Sequence, residues 1–267
     1  MRKLLLGTMA LIGLLSAGAA QAADMPVKAA PMAAPPPPFS WTGFYIGAHV
    51  GAGWGTVESD IPFNGGAIPI SSHTINGFLG GGQVGWNWQV NPWLVFGFEG
   101  QISGADIKGD APCVGFAFNL FNCHTKVNWV ASAAGRLGFA YNQTLFYVKG
   151  GGAWADTDYS ADFLSAGVAT FTGSSTRSGW MVGAGIEQAF WTNWSAKLEY
   201  NFMDFGTDNI GFAFNHSCLH ATPTTAVVTS NSCNVPVDVT QKIHLIKFGL
   251  NYRFNWAAPA APVAARY

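Results

Sequence analysis

Residues 42–57 alternate so strictly that one kind of secondary structure accommodates them. Phe44, Ile46, Ala48, Val50, Ala52 and Trp54 share one parity, and Tyr45, Gly47, His49, Gly51 and Gly53 share the other. Successive side chains of a strand point to opposite faces, so a period of two describes a ribbon with one apolar side and one polar-or-small side. Similar runs follow at about residues 74–90, 93–106, 125–141, 145–155, 177–190, 194–206 and 242–254, which makes eight strands in all.

The surroundings of that apolar side follow from what the chain lacks. Charged residues are only 10% of the sequence while aromatics reach 14%, a composition poor in water-solubilising groups. Beyond the N-terminus no stretch approaches the roughly 18 to 20 apolar residues of a transmembrane helix. In lipid only helices and closed barrels satisfy every backbone polar group, so an apolar chain built of strands is expected to be an eight-stranded antiparallel transmembrane up-and-down β-barrel, in the all-β class. A soluble secreted sandwich is the competing fold, because it uses the same alternation.

Export is expected from the first residues. Arg2 and Lys3 precede an apolar run over residues 4–15, and Ala20-Gln21-Ala22 has the small-x-small cleavage pattern of a secretory signal. The domain reading is a signal peptide at 1–22, a Pro/Ala-rich periplasmic linker at 23–40, an outer-membrane barrel at 41–254 and an Ala/Pro-rich tail at 255–267. The whole chain has 13 basic and 14 acidic residues, and loss of Arg2 and Lys3 leaves 11 against 14, a formal charge of −3. Such a balance excludes a nucleic-acid binder with a basic surface.

The connections alternate in length. Asn91-Pro92, residues 142–144 and residues 191–193 read as tight turns, whereas residues 58–73, 107–124, 156–176 and 207–241 read as long loops. Short turns at one end and long loops at the other is the outer-membrane layout, with both termini periplasmic and the loops outward. Trp86, Trp88, Trp93, Trp191 and Trp194 flank the tight turns, and Trp54, Trp129, Trp154 and Trp180 lie near the opposite ends. Two aromatic belts are expected from these positions, with Phe44 to Trp54 spanning about 23 Å at a 45° tilt against an apolar band of about 25 Å.

If the apolar parity faces lipid, the strand charges face inward. That places Glu99, Lys126, Arg136, Lys149, Glu187, Lys197, Glu199, Lys247 and Arg253 inside the barrel, with His49 among them. Eight strands enclose a space that side chains fill, so these charges read as a plug of ion pairs; a narrow, weakly anion-selective water path is the alternative. The four cysteines fall two to a long loop. In an oxidising compartment Cys113 with Cys123 and Cys218 with Cys233 are the expected local pairs, although four cysteines permit three connectivities. A metal or haem site using His124, His216 and His220 competes with that reading, but no C-x-x-C pair is present. Neither G-x-S-x-G nor H-E-x-x-H occurs, and no catalytic, cofactor or metal residue is assigned.

Several segments together resemble the small outer-membrane β-barrel proteins of α-proteobacteria, the outer-membrane immunogenic or porin-family proteins related to the OmpA membrane domain. They are residues 41–55 (WTGFYIGAHVGAGWG), 147–154 (YVKGGGAW), 179–187 (GWMVGAGIE), 194–206 (WSAKLEYNFMDFG) and 246–254 (IKFGLNYRF). The resemblance implies an eight-stranded barrel in the cell outer membrane with a structural or adhesive role, and in some relatives haem binding. It also implies that Phe254, the aromatic of the last strand, assists recognition by the barrel-insertion machinery, although thirteen residues follow it here. The expected partners are outer-membrane lipids, that machinery, and host or cell-surface ligands met through the loops.

Overall fold

The computed structural model describes residues 39–63, 66–113, 121–163, 169–214, 219–221, 226–228 and 233–254. Seven strands follow in order: β1 (Gly43–Phe63), β2 (Gly66–Asn91), β3 (Leu94–Cys113), β4 (Phe121–Tyr141), β5 (Thr144–Phe163), β6 (Ala169–Ala189) and β7 (Trp194–Phe214). After the short strands β8 (Leu219–Ala221) and β9 (Ala226–Val228), which pair with each other outside the ring, comes β10 (Cys233–Phe254). The seven long strands and β10 form a closed antiparallel barrel of eight, each beside its neighbour in sequence, and β10 returns to β1 with Phe254 opposite Phe44. Closure leaves no unpaired strand edge to face lipid.

Tight connections join the strands at one rim. Asn142 turns the chain there with φ 54°, a left-handed conformation that asparagine tolerates better than most residues. At the opposite rim the structure departs from the sequence reading. Most of what reads as long loop is strand: β1 continues to Phe63 and β2 begins at Gly66, and the next two hairpins are extended in the same way. Strands of 20 to 26 residues reach about 47 to 61 Å at a 45° tilt, roughly twice the apolar band. Above the band the outer face meets water, so both faces become mixed and the period-two signal fades.

Of several register shifts around the ring, two re-aim the wall. Pairing shifts register around Asn128, between Gly104 and Ile107 on β3 and between Val127 and Trp129 on β4. β6 and β7 pair over residues 180–189 against 195–204 and again over 171–172 against 213–214, but not between. The buried Arg177 spans that gap, donating from Nη2 to the carbonyl oxygens of Gly206 (3.0 Å) and Val239 (2.5 Å) and from Nε to Asp208 (3.2 Å). Gly206 takes φ 64° where β7 bends, and the Asp204 carboxylate accepts its amide at 2.8 Å.

The outer wall carries the apolar parity, including Ile46, Val50, Phe98, Ile102, Val148, Leu198, Phe248 and Leu250. The interior is layered. Near the tight-turn rim Trp41, Val95, Ala140, Leu145, Tyr147 and Ala189 pack together. On the long-loop side a larger cluster includes Ile75, Leu79, Ile107, Val130, Met181, Met203, Phe205, Ile243 and Leu245. Between them lie the charges.

Candidate functional site

The charges of the middle layer come from inward positions of six strands. Glu99 on β3 and Glu199 on β7 come from opposite walls, and Lys149 on β5 bridges them with Nζ 3.1 Å from the first and 2.6 Å from the second. Lys197 bridges the same pair at 2.8 Å and 3.4 Å. The third carboxylate, Glu187, receives Arg136 Nη2 at 2.9 Å together with the Ser195 hydroxyl at 2.6 Å and the Asn251 amide at 2.8 Å. All three glutamates are at most 3% exposed, so hydrogen bonds and ion pairs replace the water that these carboxylates lose.

Two tyrosines complete the layer. The Tyr45 hydroxyl donates to Glu99 at 2.8 Å and accepts from Arg136 at 2.5 Å; the Tyr147 hydroxyl donates to Glu199 at 2.8 Å while its ring lies 3.8 Å from the Arg136 guanidinium carbon. Each tyrosine crosses an inward glycine of the adjacent strand, and a Cβ at Gly85 or Gly185 would run into its ring or hydroxyl. Tyr45, Gly85 and Glu99 stand side by side on β1, β2 and β3, and Tyr147, Gly185 and Glu199 do so on β5, β6 and β7. The chain thus places the same three-strand unit twice. Sequence reasoning missed it, although Phe44-Tyr45 with Phe146-Tyr147 and Gly53-Trp54 with Ala153-Trp154 carry the repeat.

The remaining inward charges take other roles. Lys247 donates to Gln101 at 2.5 Å and forms no ion pair among the described residues, so in this layer four cations, Arg136, Lys149, Lys197 and Lys247, face three carboxylates. Arg253 lies at the tight-turn rim instead of in this network. Its nitrogens donate to the carbonyl oxygens of Ser40 and Thr192, both at 3.1 Å, and its guanidinium lies 4.4 Å from the Phe39 ring and 4.9 Å from that of Trp41. It therefore holds the segment before β1 across the barrel mouth.

Lys126 is the correction among the expected interior charges. The register shift at Asn128 reverses the parity above it, so Val127 is buried and Lys126 is exposed on the outer side. Arg177, by contrast, is an interior cation that the alternation did not single out, because it lies beyond the apolar band. His49 is inward and bonds Ser103 Oγ at 2.7 Å through Nε2 and Gln83 at 2.5 Å through Nδ1. The cross-strand serine resembles a nucleophile beside its base, but Ser103 is 1% and His49 3% exposed, so the pair belongs to the packed interior.

On the outer surface, Trp86, Trp88, Trp93, Trp191 and Trp194 are exposed towards the tight-turn rim, and Trp54, Trp154 and Trp180 towards the other. Trp129, next to the register shift, is half-buried. Phe254 ends β10 facing outward, 5.7 Å from the Phe44 ring. Cys113 ends β3 and Cys123 lies on β4, so neither sits in a loop as expected; Cys123 is disulfide-bonded. Cys218 and His216 lie outside the described residues, as do the side chains of Cys113, Cys233 and His220. His124 pairs with Asp110 at 2.5 Å.

A closed ring of eight antiparallel strands, apolar outside and ion-paired within, defines an outer-membrane β-barrel protein. The chain belongs to the outer membrane protein beta-barrel domain family, whose model matches residues 8–254. It is 32% identical over 260 residues to a 31 kDa outer-membrane immunogenic protein of Brucella melitensis, covering 92% of this chain and 98% of that one. A 22 kDa outer membrane protein of Rhizobium leguminosarum is 35% identical over 173 residues, covering 63% and 66%. Among solved structures, OprG of Pseudomonas aeruginosa aligns at 14% identity with a TM-score of 0.40, covering 80% of this chain and 97% of that one. The protein is located in the outer membrane.

Proposed function

We propose that the protein is a sealed structural barrel that contributes to envelope integrity and uses its long hairpins for surface interaction or adhesion. The observation that carries this reading is the layering of the interior. An ion travelling along the axis would have to pass the cluster around Trp41 and Leu145, the bonded charges, and the cluster around Leu79 and Leu245. Moving a charge through close-packed apolar layers costs many kcal/mol, which separates this interior from a water-filled channel.

In this reading the signal peptide at 1–22 is removed, the termini and the 255–267 tail are periplasmic, and the four hairpins project outward. The relatives named for immunogenicity support an exposed face. Disulfides joining Cys113 to Cys123 and Cys218 to Cys233 stiffen two of the hairpins, and Phe254 is offered to the insertion machinery. The test is planar-bilayer recording with the purified protein. A silent membrane is expected; reproducible, slightly anion-selective openings that disappear on Arg136→Ala or Lys247→Ala would overturn the sealed reading in favour of a narrow pore.

A further inference from the structure

Above the apolar band the ring is not evenly laddered. The outward positions of β2 change from Phe78 to Asn76, Thr74 and Ser72, which marks the upper edge of the band on that strand. At the same height the pairing of β2 with β3 ends, at Asn76 and Lys108. Each strand keeps its other neighbour: β2 pairs with β1 out to Gly66, and β3 pairs with β4 out to Cys113. A seam therefore separates the β1–β2 hairpin from the β3–β4 hairpin. The interruption between β6 and β7 lies on the opposite side of the ring, but that ladder closes again above it at Phe171 and Phe214, and Arg177 crosses it.

His73 reaches across the seam between β2 and β3. It points inward from β2, is 8% exposed, and its Nε2 lies 3.1 Å from the Thr125 hydroxyl of β4. Thr125 is the pairing partner of Gly109, so the imidazole spans the width of β3. Its Nδ1 lies 3.4 Å from the Ser71 hydroxyl of its own strand. Both partners are hydroxyls, which satisfy a neutral ring and give a protonated one no counter-charge. The charged groups of the neighbouring strands, Glu58 and Asp60 on β1, Asp106, Lys108 and Asp110 on β3, and His124 and Lys126 on β4, all take outward positions. Asp110, whose charge favours a protonated His73, already holds His124 at 2.5 Å. On the inward side Val57, Ile75 and Ile107, from the strands that meet at the seam, belong to the apolar cluster of the long-loop half.

The geometry points to an acid-operated latch: a neutral His73 bonded to Thr125 holds the seam between the two hairpins shut, and protonation of the ring releases it. Burial pushes the imidazole below its usual range, and Asp110 offsets this only in part. In the parted seam the ring meets water and takes up its proton near pH ~6.5. Closure is therefore fully favoured above that pH and weakens by up to about ten-fold per pH unit below it, because the parted form binds the extra proton. Parting exposes Val57, Ile75 and Ile107, so an apolar surface is presented at the long-loop rim only in acid. The charged layer and the cluster around Trp41 lie below the seam and stay closed. The proposal takes from the preceding reading only that the hairpins stand in water.

Spin-label distances in the full chain, reconstituted in phosphatidylcholine vesicles and titrated from about pH 8 to about pH 5, test it. One label pair, Ser72→Cys on β2 with Ser160→Cys on β5, spans the His73 seam; the other, Ser174→Cys on β6 with Asn209→Cys on β7, spans the interruption that Arg177 crosses. Labels are attached without reductant, so the Cys123 bridge persists. With His73 in place the first distance is expected to lengthen by about 5 Å, one strand spacing, in a fraction that grows as pH falls. The second is expected to stay constant, because the Arg177 guanidinium does not titrate. His73→Gln, which keeps a polar group for Thr125, is expected to remove the pH dependence of the first distance. Every labelled protein is first checked for the migration of a folded barrel on unboiled gels. A first distance that does not change with pH, the same lengthening in His73→Gln, or equal lengthening of both pairs would overturn the proposal. None of these readouts depends on conductance, so a failure here leaves the sealed-barrel reading to its own test.

Discussion

Glu99 shows how a buried carboxylate is kept ionised in a protein with so few charges. Lys149, Lys197, Arg136 and Tyr45 converge on its two oxygens, so removing its charge leaves several buried cations short of a counter-ion. Breaking such a pair from one side costs about 3–5 kcal/mol, and Glu99→Gln is expected to lose that much in urea titrations of the barrel refolded in vesicles. Lys247 sits differently, because its partner is the neutral Gln101. Lys247→Met removes an uncompensated buried cation of similar length and is expected to lie within about 1 kcal/mol of wild type. Equal losses for the two variants would show that the network does not distinguish paired from unpaired charge.

At the scale of the strand, each ribbon crosses two solvents. The tight-turn half of β5 presents Val148 to lipid, 56% exposed, whereas the long-loop end of β6 presents Ser174 to water. Val148→Arg is expected to destabilise the inserted barrel by about 2–4 kcal/mol, since a cation near the bilayer midplane loses its hydration. Ser174→Arg is expected to stay within about 0.5 kcal/mol, and the same vesicle titrations compare the two. The extended strands also explain why alternation located the band and missed the hairpins: parity is legible only where the two faces meet unlike media. The register shift at Asn128 was invisible for a related reason, because an inserted residue changes the facing of Lys126 without changing its type.

For the molecule as a whole, closure converts eight marginal ribbons into one cooperative unit, with β10 laddered to β1 along most of its length. Unboiled samples of the outer-membrane fraction are therefore expected to migrate on gels apart from boiled ones. Reductant alone, which acts on the Cys123 bridge, is expected to leave the unboiled band folded, because hydrogen bonds between strands close the ring. Loss of the folded band on reduction would mean that the barrel depends on that bridge.

The sequence by itself determined the strand number, the inward or outward facing of residues within the apolar band and the pool of charges inside it, since each follows from a period of two read against lipid. Only the tertiary structure decided how those charges pair, because Glu99 and Glu199 meet Lys149 from walls that are a hundred residues apart in sequence. It also decided that the charges lie between apolar layers and that Lys126 points outward. Pairing, layering and facing beyond a bulge depend on which strands become neighbours when the ring closes, and no single strand encodes that.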